Sequence, residues 1–323
     1  MASDPRIGIV AIGRNEGERL KACLRSMPAD LPVVYVDSAS TDGSGQFARS
    51  VGAHVVDLDL SRPFTAARAR NEGFNRLRQV APHVTYVQFI DGDCELEAGW
   101  LATAEKRLEQ RPELAAVCGR RRERYPEATF YNAMCDSEWN TPVGDAEACG
   151  GDAMFRVSAF REASGFDPAL IAHEEPDLCS RLRAMGYGIE RIDAPMTRHD
   201  AAITRFSQFW RRNTRAGYGY AQAAAKHRGS RYDPSRGLLR RTVQWGLAIP
   251  FACLVLTVLV WPLGALAWLV FPLQIARRAV LGGLGWRRAT FELVHKFAEA
   301  EGFLKWVVDR TRRQSRNAIQ YKG

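Results

Sequence analysis

Two carboxylates one residue apart, Asp91 and Asp93, follow the apolar run YVQFI, with Gly92 between them. Hard divalent cations such as Mg2+ and Mn2+ take oxygen ligands and commonly share their coordination with substrate phosphates. Gly92 lets the backbone bend so that both side chains can serve one site. The tripeptide alone is common in turns, and its weight comes from its company. A third carboxylate, Asp37, follows VVYV in the same manner.

These acids need strands to hold them. The chain predicts strands over 7–12, 33–36, 54–57 and 84–90, and helices over 16–26, 44–51 and 66–78. Such alternation predicts an α/β domain built on a parallel, doubly wound sheet. Ligands of these sheets bind beyond the carboxyl ends of the strands, which is where Asp37, Asp91 and Asp93 fall.

The 323 residues are 46% hydrophobic and 25% charged, which excludes a wholly disordered chain. Charge is split along the sequence. Residues 1–198 carry 24 Lys and Arg against 30 Asp and Glu, a net of −6; residues 199–323 carry 21 against 6, a net of +15. An acidic first part and a basic second part should meet different partners. Seven cysteines are scattered without a CxxC pair or clustered histidines, so neither a zinc site nor a disulfide framework is expected, in keeping with a reducing compartment. Charges near the N-terminus stand where a secretory signal would need its apolar stretch, and no such signal is expected.

From 242 to 276 there is no charged residue, a stretch long enough to cross a bilayer. One continuous helix of that length would overrun the hydrocarbon core, and Pro250, Pro262, Gly264 and Pro272 offer breaks. Arginines flank both ends, which favours both on the cytoplasmic side and hence a hairpin or re-entrant pair over a single span. Residues 289–316 read as an amphipathic helix. Its apolar side would be Phe291, Val294, Phe297, Phe303, Leu304 and Val307, and Arg310, Arg312, Arg313 and Arg316 would suit an anionic membrane. Domains are thus expected at 1–200, 201–241 (basic interfacial helices), 242–276 (anchor) and 277–323. The expected location is the cytoplasmic face of the inner, or plasma, membrane.

Several motifs occur in order: IVAIGRNEG at 9–17, VVYVDSASTDGS at 33–44, ARNEG at 69–73, then Asp91-Gly92-Asp93. Gly150-Gly151, Gly165-Phe166-Asp167 and EEPDLCSRLRAMGY at 174–187 follow. Across roughly residues 5–200 this order resembles glycosyltransferase family 2, in its membrane-associated bacterial type, and the resemblance implies a GT-A Rossmann-like fold. It also implies a nucleotide-sugar donor. Asp37, with Ser38 and the loop of Arg14, Asn15 and Glu16, would contact the nucleoside. Asp91 would lie on the ribose side and Asp93 would bind Mn2+ or Mg2+, which neutralises the departing diphosphate. Arg70 would add positive charge or pair with a carboxylate.

The resemblance places the catalytic base in the pair Glu174-Glu175, with Glu175 as the base and Glu174 suited to the start of a helix. A single base with no carboxylate nucleophile implies inversion. His199, after a predicted strand, is the candidate to complete the metal shell, or else lies in a surface loop. Gly150, Gly151 and Asp152 would shape the acceptor cleft, with Asp152 on the sugar. Trp210 and Arg211 lie in a segment similar to the Gln-x-x-Arg-Trp helix of membrane synthases with its order reversed, and are expected on the acceptor side. Asp177 and Arg181, one helical turn apart, should form a structural pair. Arg120 to Arg124 should form a solvated rim.

The leading expectation is an inverting, metal-dependent transferase that uses a nucleotide-diphosphate sugar, with a UDP-sugar favoured. Its acceptor would be a lipid-linked polyprenyl-diphosphate saccharide, met at an anionic lipid surface during cell-surface polysaccharide assembly. Alternatives are a polyprenyl-phosphate monosaccharide synthase and a catalytically silent membrane tether. Nucleic acid is not an expected partner, because the basic residues flank an apolar span.

Overall fold

Runs such as IGIVAIG and VVYVD are apolar at nearly every position, the pattern of strands covered on both faces. The computed structural model, which describes residues 5–312, folds them as neighbouring interior strands of one sheet. It divides into two units, Met1–Thr204 and Arg205–Gly323.

The first unit runs β1 (Ile7–Gly13), α1 (Glu18–Arg25), β2 (Val33–Asp37), α2 (Ser44–Ser50), β3 (His54–Asp57), α3 (Ala66–Val80), β4 (Tyr86–Asp91) and β5 (Cys94–Leu96). It continues α4 (Trp100–Gln110), β6 (Leu114–Glu123), α5 (Phe130–Glu138), β7 (Gly144–Asp145), β8 (Ala153–Arg156), α6 (Val157–Glu162), α7 (Glu174–Ala184) and β9 (Gly188–His199). The strand order is β3-β2-β1-β4-β8-β6-β9-β5, with β7 on β9. β1 pairs in parallel with β2 and β4, and β8 runs antiparallel between β4 and β6. Register brings Gly13 opposite Asp37 and Ile12 opposite Asp91, so the acids share one end of the sheet.

α3 lies close on the sheet because Gly73 faces Val10 and Val36, where any side chain would collide. Behind it Phe74, Phe89, Phe155, Phe160 and Phe166 form a cluster of tilted and edge-on rings. Each fully buried Phe contributes about 1.5–3 kcal/mol. The first helix starts later than its periodicity predicts. Gly17 has φ of 52° and gives its N–H to Asp42 Oδ2 at 2.8 Å, which keeps Glu16 in the loop.

The second unit holds α8 (Phe206–Lys226), α9 (Arg236–Val243), a π-helical turn (Gln244–Ala248), α10 (Ile249–Leu259), a 3-10 segment (Leu263–Leu269), α11 (Val270–Val280) and α12 (Trp286–Arg312). Two helical stretches, Arg236–Leu259 of 24 residues and Leu263–Val280 of 18, are long and apolar enough to cross a membrane. The chain breaks between them, and the arms fold back on each other. Gly264 has no room for a Cβ against the Leu256 carbonyl, and Trp268 Nε1 donates to Thr257 Oγ1 at 3.1 Å.

α12 differs from its expected amphipathic pattern. It buries Ala289, Leu293, Lys296, Ala298, Glu299, Ala300, Gly302 and Asp309, while Leu304 is 48% exposed and the phenylalanines are half-buried. Gly217 of α8 meets the Glu299 backbone, and Gly302 meets Thr214, so small residues let the two helices touch at the backbone. Inside that seam Lys296 pairs with Glu299 at 2.8 Å, and Thr242 donates to the same carboxylate. Arg313 and Arg316 lie outside the described residues.

Candidate active site

β4 ends at Asp91, and the turn through Gly92 and Asp93 leads into β5, which pairs antiparallel with β9. That register sets Cys94 opposite His199, and so carries His199 to Asp93. His199 Nε2 lies 3.1 Å from Asp93 Oδ2, and both residues are buried. That contact lacks hydrogen-bond geometry, and among the described residues neither imidazole nitrogen has a hydrogen-bond partner. A buried ring with two unsatisfied nitrogens beside a carboxylate is costly unless something joins them. A divalent cation would do so, and the oxygen and nitrogen donors fit Mg2+ or Mn2+. Cys94 lies within reach of both, but burial holds its thiol protonated.

Burial lowers the His199 pKa, Arg121 lowers it further, and the Asp152, Asp91 and Glu123 carboxylates oppose them. The ring is therefore neutral at pH 7 and available as a ligand. Trp139 stacks on it at 4.6 Å between centroids.

Asp91 faces Arg70. That guanidinium, 3% exposed, reaches Asp91 Oδ1 at 2.7 Å with one nitrogen and Glu174 Oε1 at 2.6 Å with the other. Burial works against its charge, but the two carboxylates outweigh it and its pKa is raised. Of the two sequence alternatives for Arg70, the carboxylate pair is therefore present. Gly151 lines the same spot: a Cβ there would come 2.7 Å from Arg70 Nη2 and 3.1 Å from Asp91 Oδ2. Gly92 is equally hemmed in, 3.0 Å from the Ile12 carbonyl by the same measure. Gly150, at φ 80°, holds the left-handed turn before it.

Glu174 and Glu175 open α7, where the helix dipole favours acids. Glu175 Oε1 accepts from the Cys149 N–H at 2.5 Å and from Cys179 Sγ at 3.0 Å. Burial pushes both thiols up, Cys179 to about 11, so each stays protonated. Asp177 pairs with Arg181 at 2.9 Å, as expected of the structural pair.

On the nucleoside side, Asp37 Oδ1 accepts from the Ser40 N–H at 3.0 Å and its hydroxyl at 2.5 Å. Ser38 is buried beside it, its N–H on the Gly13 carbonyl. The β1–α1 loop is tied to this turn: Asn15 N–H meets Ser40 Oγ at 2.9 Å, and Asn15 Oδ1 accepts from Thr41 N–H at 2.8 Å. Glu16 pairs with Arg19 at 2.8 Å, and the Arg14 guanidinium lies over the Phe64 ring.

Asp152 stands elsewhere than expected. It is fully buried and turned inward: Oδ1 accepts from the Asp91 N–H at 3.0 Å, and Oδ2 accepts from Thr197 at 2.9 Å and pairs with Arg121 at 3.0 Å. Trp210 and Arg211 belong to the second unit. There Trp210 Nε1 donates to Glu301 at 2.5 Å and Arg211 is exposed.

Arg121 is the residue the sequence misplaced. The run Arg120 to Arg124 is the end of β6 and its continuation, not a solvated loop, and beside a register shift between Arg120 and Arg121 the Arg121 side chain turns inward onto Asp152 and over Trp139. Its Nη2 is buried without a hydrogen-bond partner among the described residues, facing Gly150 and Gly151. A strand through the run, with side chains on both faces, was the available signal; nothing in the sequence singled out Trp139.

The sequence model of glycosyl transferase family 2 matches residues 9–162, and that of glycosyl transferase family group 2 matches residues 91–281. No curated protein matches the chain in sequence. Among solved structures, a mannosyltransferase, PcManGT from Pyrobaculum calidifontis in complex with GDP-Man and Mn2+, is 23% identical. The match has a TM-score of 0.59 and covers 94% of this chain and 88% of that one. S. aureus TarS 1–349 is 13% identical with a TM-score of 0.50, covering 96% and 92%. These likenesses are of fold, and they bear out the expected GT-A Rossmann-like sheet followed by C-terminal helices.

Proposed function

Because the chain belongs to glycosyl transferase family 2, we propose that it moves a sugar from a nucleotide-diphosphate sugar to a lipid-linked saccharide with inversion. The observation that carries this reading is the meeting of Asp93 with His199, whose buried nitrogens lack hydrogen-bond partners among the described residues. Asp93 and His199 would hold Mn2+ or Mg2+, while Asp91, expected to share the metal, is paired with Arg70. Bound there, the cation supplies Lewis-acid charge for the departing diphosphate.

The remaining work falls to the chain's own groups. Asp37, Ser38 and the Arg14–Glu16 loop take the nucleoside. Gly151 lets the backbone pack directly against Arg70 and Asp91, where a side chain would collide, and Arg121 turns toward the same glycines an N–H group with no hydrogen-bond partner among the described residues. Glu175 takes the acceptor hydroxyl's proton as that oxygen attacks the anomeric carbon. The new carbon–oxygen bond forms opposite the breaking one, whose electrons leave with the nucleoside diphosphate. Glu174 stays with Arg70 and positions it.

The basic second unit and its two apolar stretches support a lipid-linked acceptor, anionic lipid contact and a cytoplasmic-face location. PcManGT holds GDP-Man and Mn2+, which supports a nucleotide-sugar donor and a divalent cation here. A UDP-sugar is the favoured donor, and the test must include both nucleotides. Detergent-solubilised full chain is given UDP-, GDP- and dTDP-sugars with Mn2+, Mg2+ or EDTA, with and without membrane lipid extract. Metal-dependent nucleotide release that needs the lipid supports the proposal. Failure to bind or release any nucleotide would make the chain a silent tether.

A further inference from the structure

Two of the seven scattered cysteines meet beside Glu175. Cys149 Sγ lies 3.5 Å from Cys179 Sγ, which lies 3.0 Å from Glu175 Oε1. Glu175 and Cys179 are four residues apart on one face of α7, and Cys149 comes from the loop before β8. All three are buried, with their donor atoms within 4.8 Å of one another. Bonds of about 2.3 Å to sulfur and 2.0 Å to oxygen put tetrahedral zinc donors about 3.8 Å (S–S) and 3.5 Å (S–O) apart. The S–S spacing needs to open by roughly 0.3 Å and the Cys179–Glu175 spacing by roughly 0.5 Å.

We propose that Cys149, Cys179 and Glu175 form a second cation site, for a thiophilic divalent ion such as Zn2+ or Cd2+, and that filling it silences the base. The silencing half rests on the reading of Glu175 as that base. Loading exchanges the two thiol protons, released to water, for the ion; two thiolates and one carboxylate then surround it, and nothing is oxidised. Ligand softness sorts the metals. Thiolates select soft ions, while Asp93 and His199 offer the oxygen and nitrogen donors that Mg2+ and Mn2+ accept. An ion on Glu175 draws on the carboxylate's charge and so lowers its basicity toward the acceptor's proton.

The test is Cd2+ titration of the full chain in detergent with Mg2+ in excess, read by the thiolate-to-cadmium absorption in the ultraviolet. The band should saturate at about one equivalent, persist in Asp93→Asn and Cys94→Ser, and vanish in Cys149→Ser/Cys179→Ser. No band, or a band lost with Cys94→Ser and kept in the double variant, overturns the site. In parallel, Zn2+ should cut nucleotide release about 100-fold or more, the share a general base contributes, without relief by Mn2+. Band formation with unaffected release overturns the silencing. Because the absorption needs no turnover, failure of the transferase reading and failure of this site are distinguishable.

Discussion

His199 Nε2 and Asp93 Oδ2 stand in contact at 3.1 Å where β5 pairs with β9, and among the described residues neither buried imidazole nitrogen has a partner in hydrogen-bond geometry. Burial first, and Arg121 second, hold the ring's pKa below its ordinary 6.5. The folded protein therefore keeps a neutral imidazole where the unfolded chain takes up a proton. Stability from this group is present above pH 6.5 and falls as the pH drops through that value, because the unfolded state binds more protons. His199→Gln should lose this part of the slope, so the variant and the parent should converge in thermal midpoint in acid. Parallel midpoints across the range would contradict the assignment.

Arg70 should matter for both folding and chemistry. Arg70→Ala leaves Asp91 and Glu174 facing a buried gap without their shared cation, a change costing about 3–5 kcal/mol. Arg70→Ala/Glu174→Gln should recover part of that loss. Arg70→Lys keeps the charge but lacks the fork, and should fold while turning over more slowly. Calorimetry and nucleotide release on the same preparations check this.

Gly151→Ala should reduce turnover about 100-fold, because the new methyl group would press on Arg70 and Asp91 and displace the reacting groups. Gly237→Ala, in α9 with open space around it, should instead be neutral or stabilising by up to about 1 kcal/mol. Equal effects would show that the crowding at Gly151 is not what matters.

Much of the site was legible because its acids sit at strand ends. Asp37 and Asp91 each close an apolar run, and the register of β1, β2 and β4 aligns them. The rest depends on distant pairings that no local pattern encodes. His199 reaches Asp93 only through the β5–β9 ladder, and Arg121 looks solvated until β6 is known to continue through it. Cys149 and Cys179 come together only when α7 packs beside the loop before β8. For α12 the sequence misleads, since conspicuous phenylalanines mask the small-residue seam that the helix buries.

The apolar arms should hold the chain in membranes through an alkaline carbonate wash. Phe251 is 68% exposed on α10, and Phe251→Arg should weaken retention by about 2.5–3.5 kcal/mol if that arm lies in the bilayer. Release of the unaltered protein by carbonate alone would refute an embedded hairpin.

The most direct test compares nucleotide release from the accepted donor by the parent chain, Asp93→Asn and Glu175→Gln in Mn2+, with EDTA as the blank. The parent should turn over only with metal. Asp93→Asn should fall to the EDTA level, and Glu175→Gln should drop by about 100-fold or more while still binding donor. Parent-like release by either variant would contradict the central claim that these two carboxylates carry the reaction.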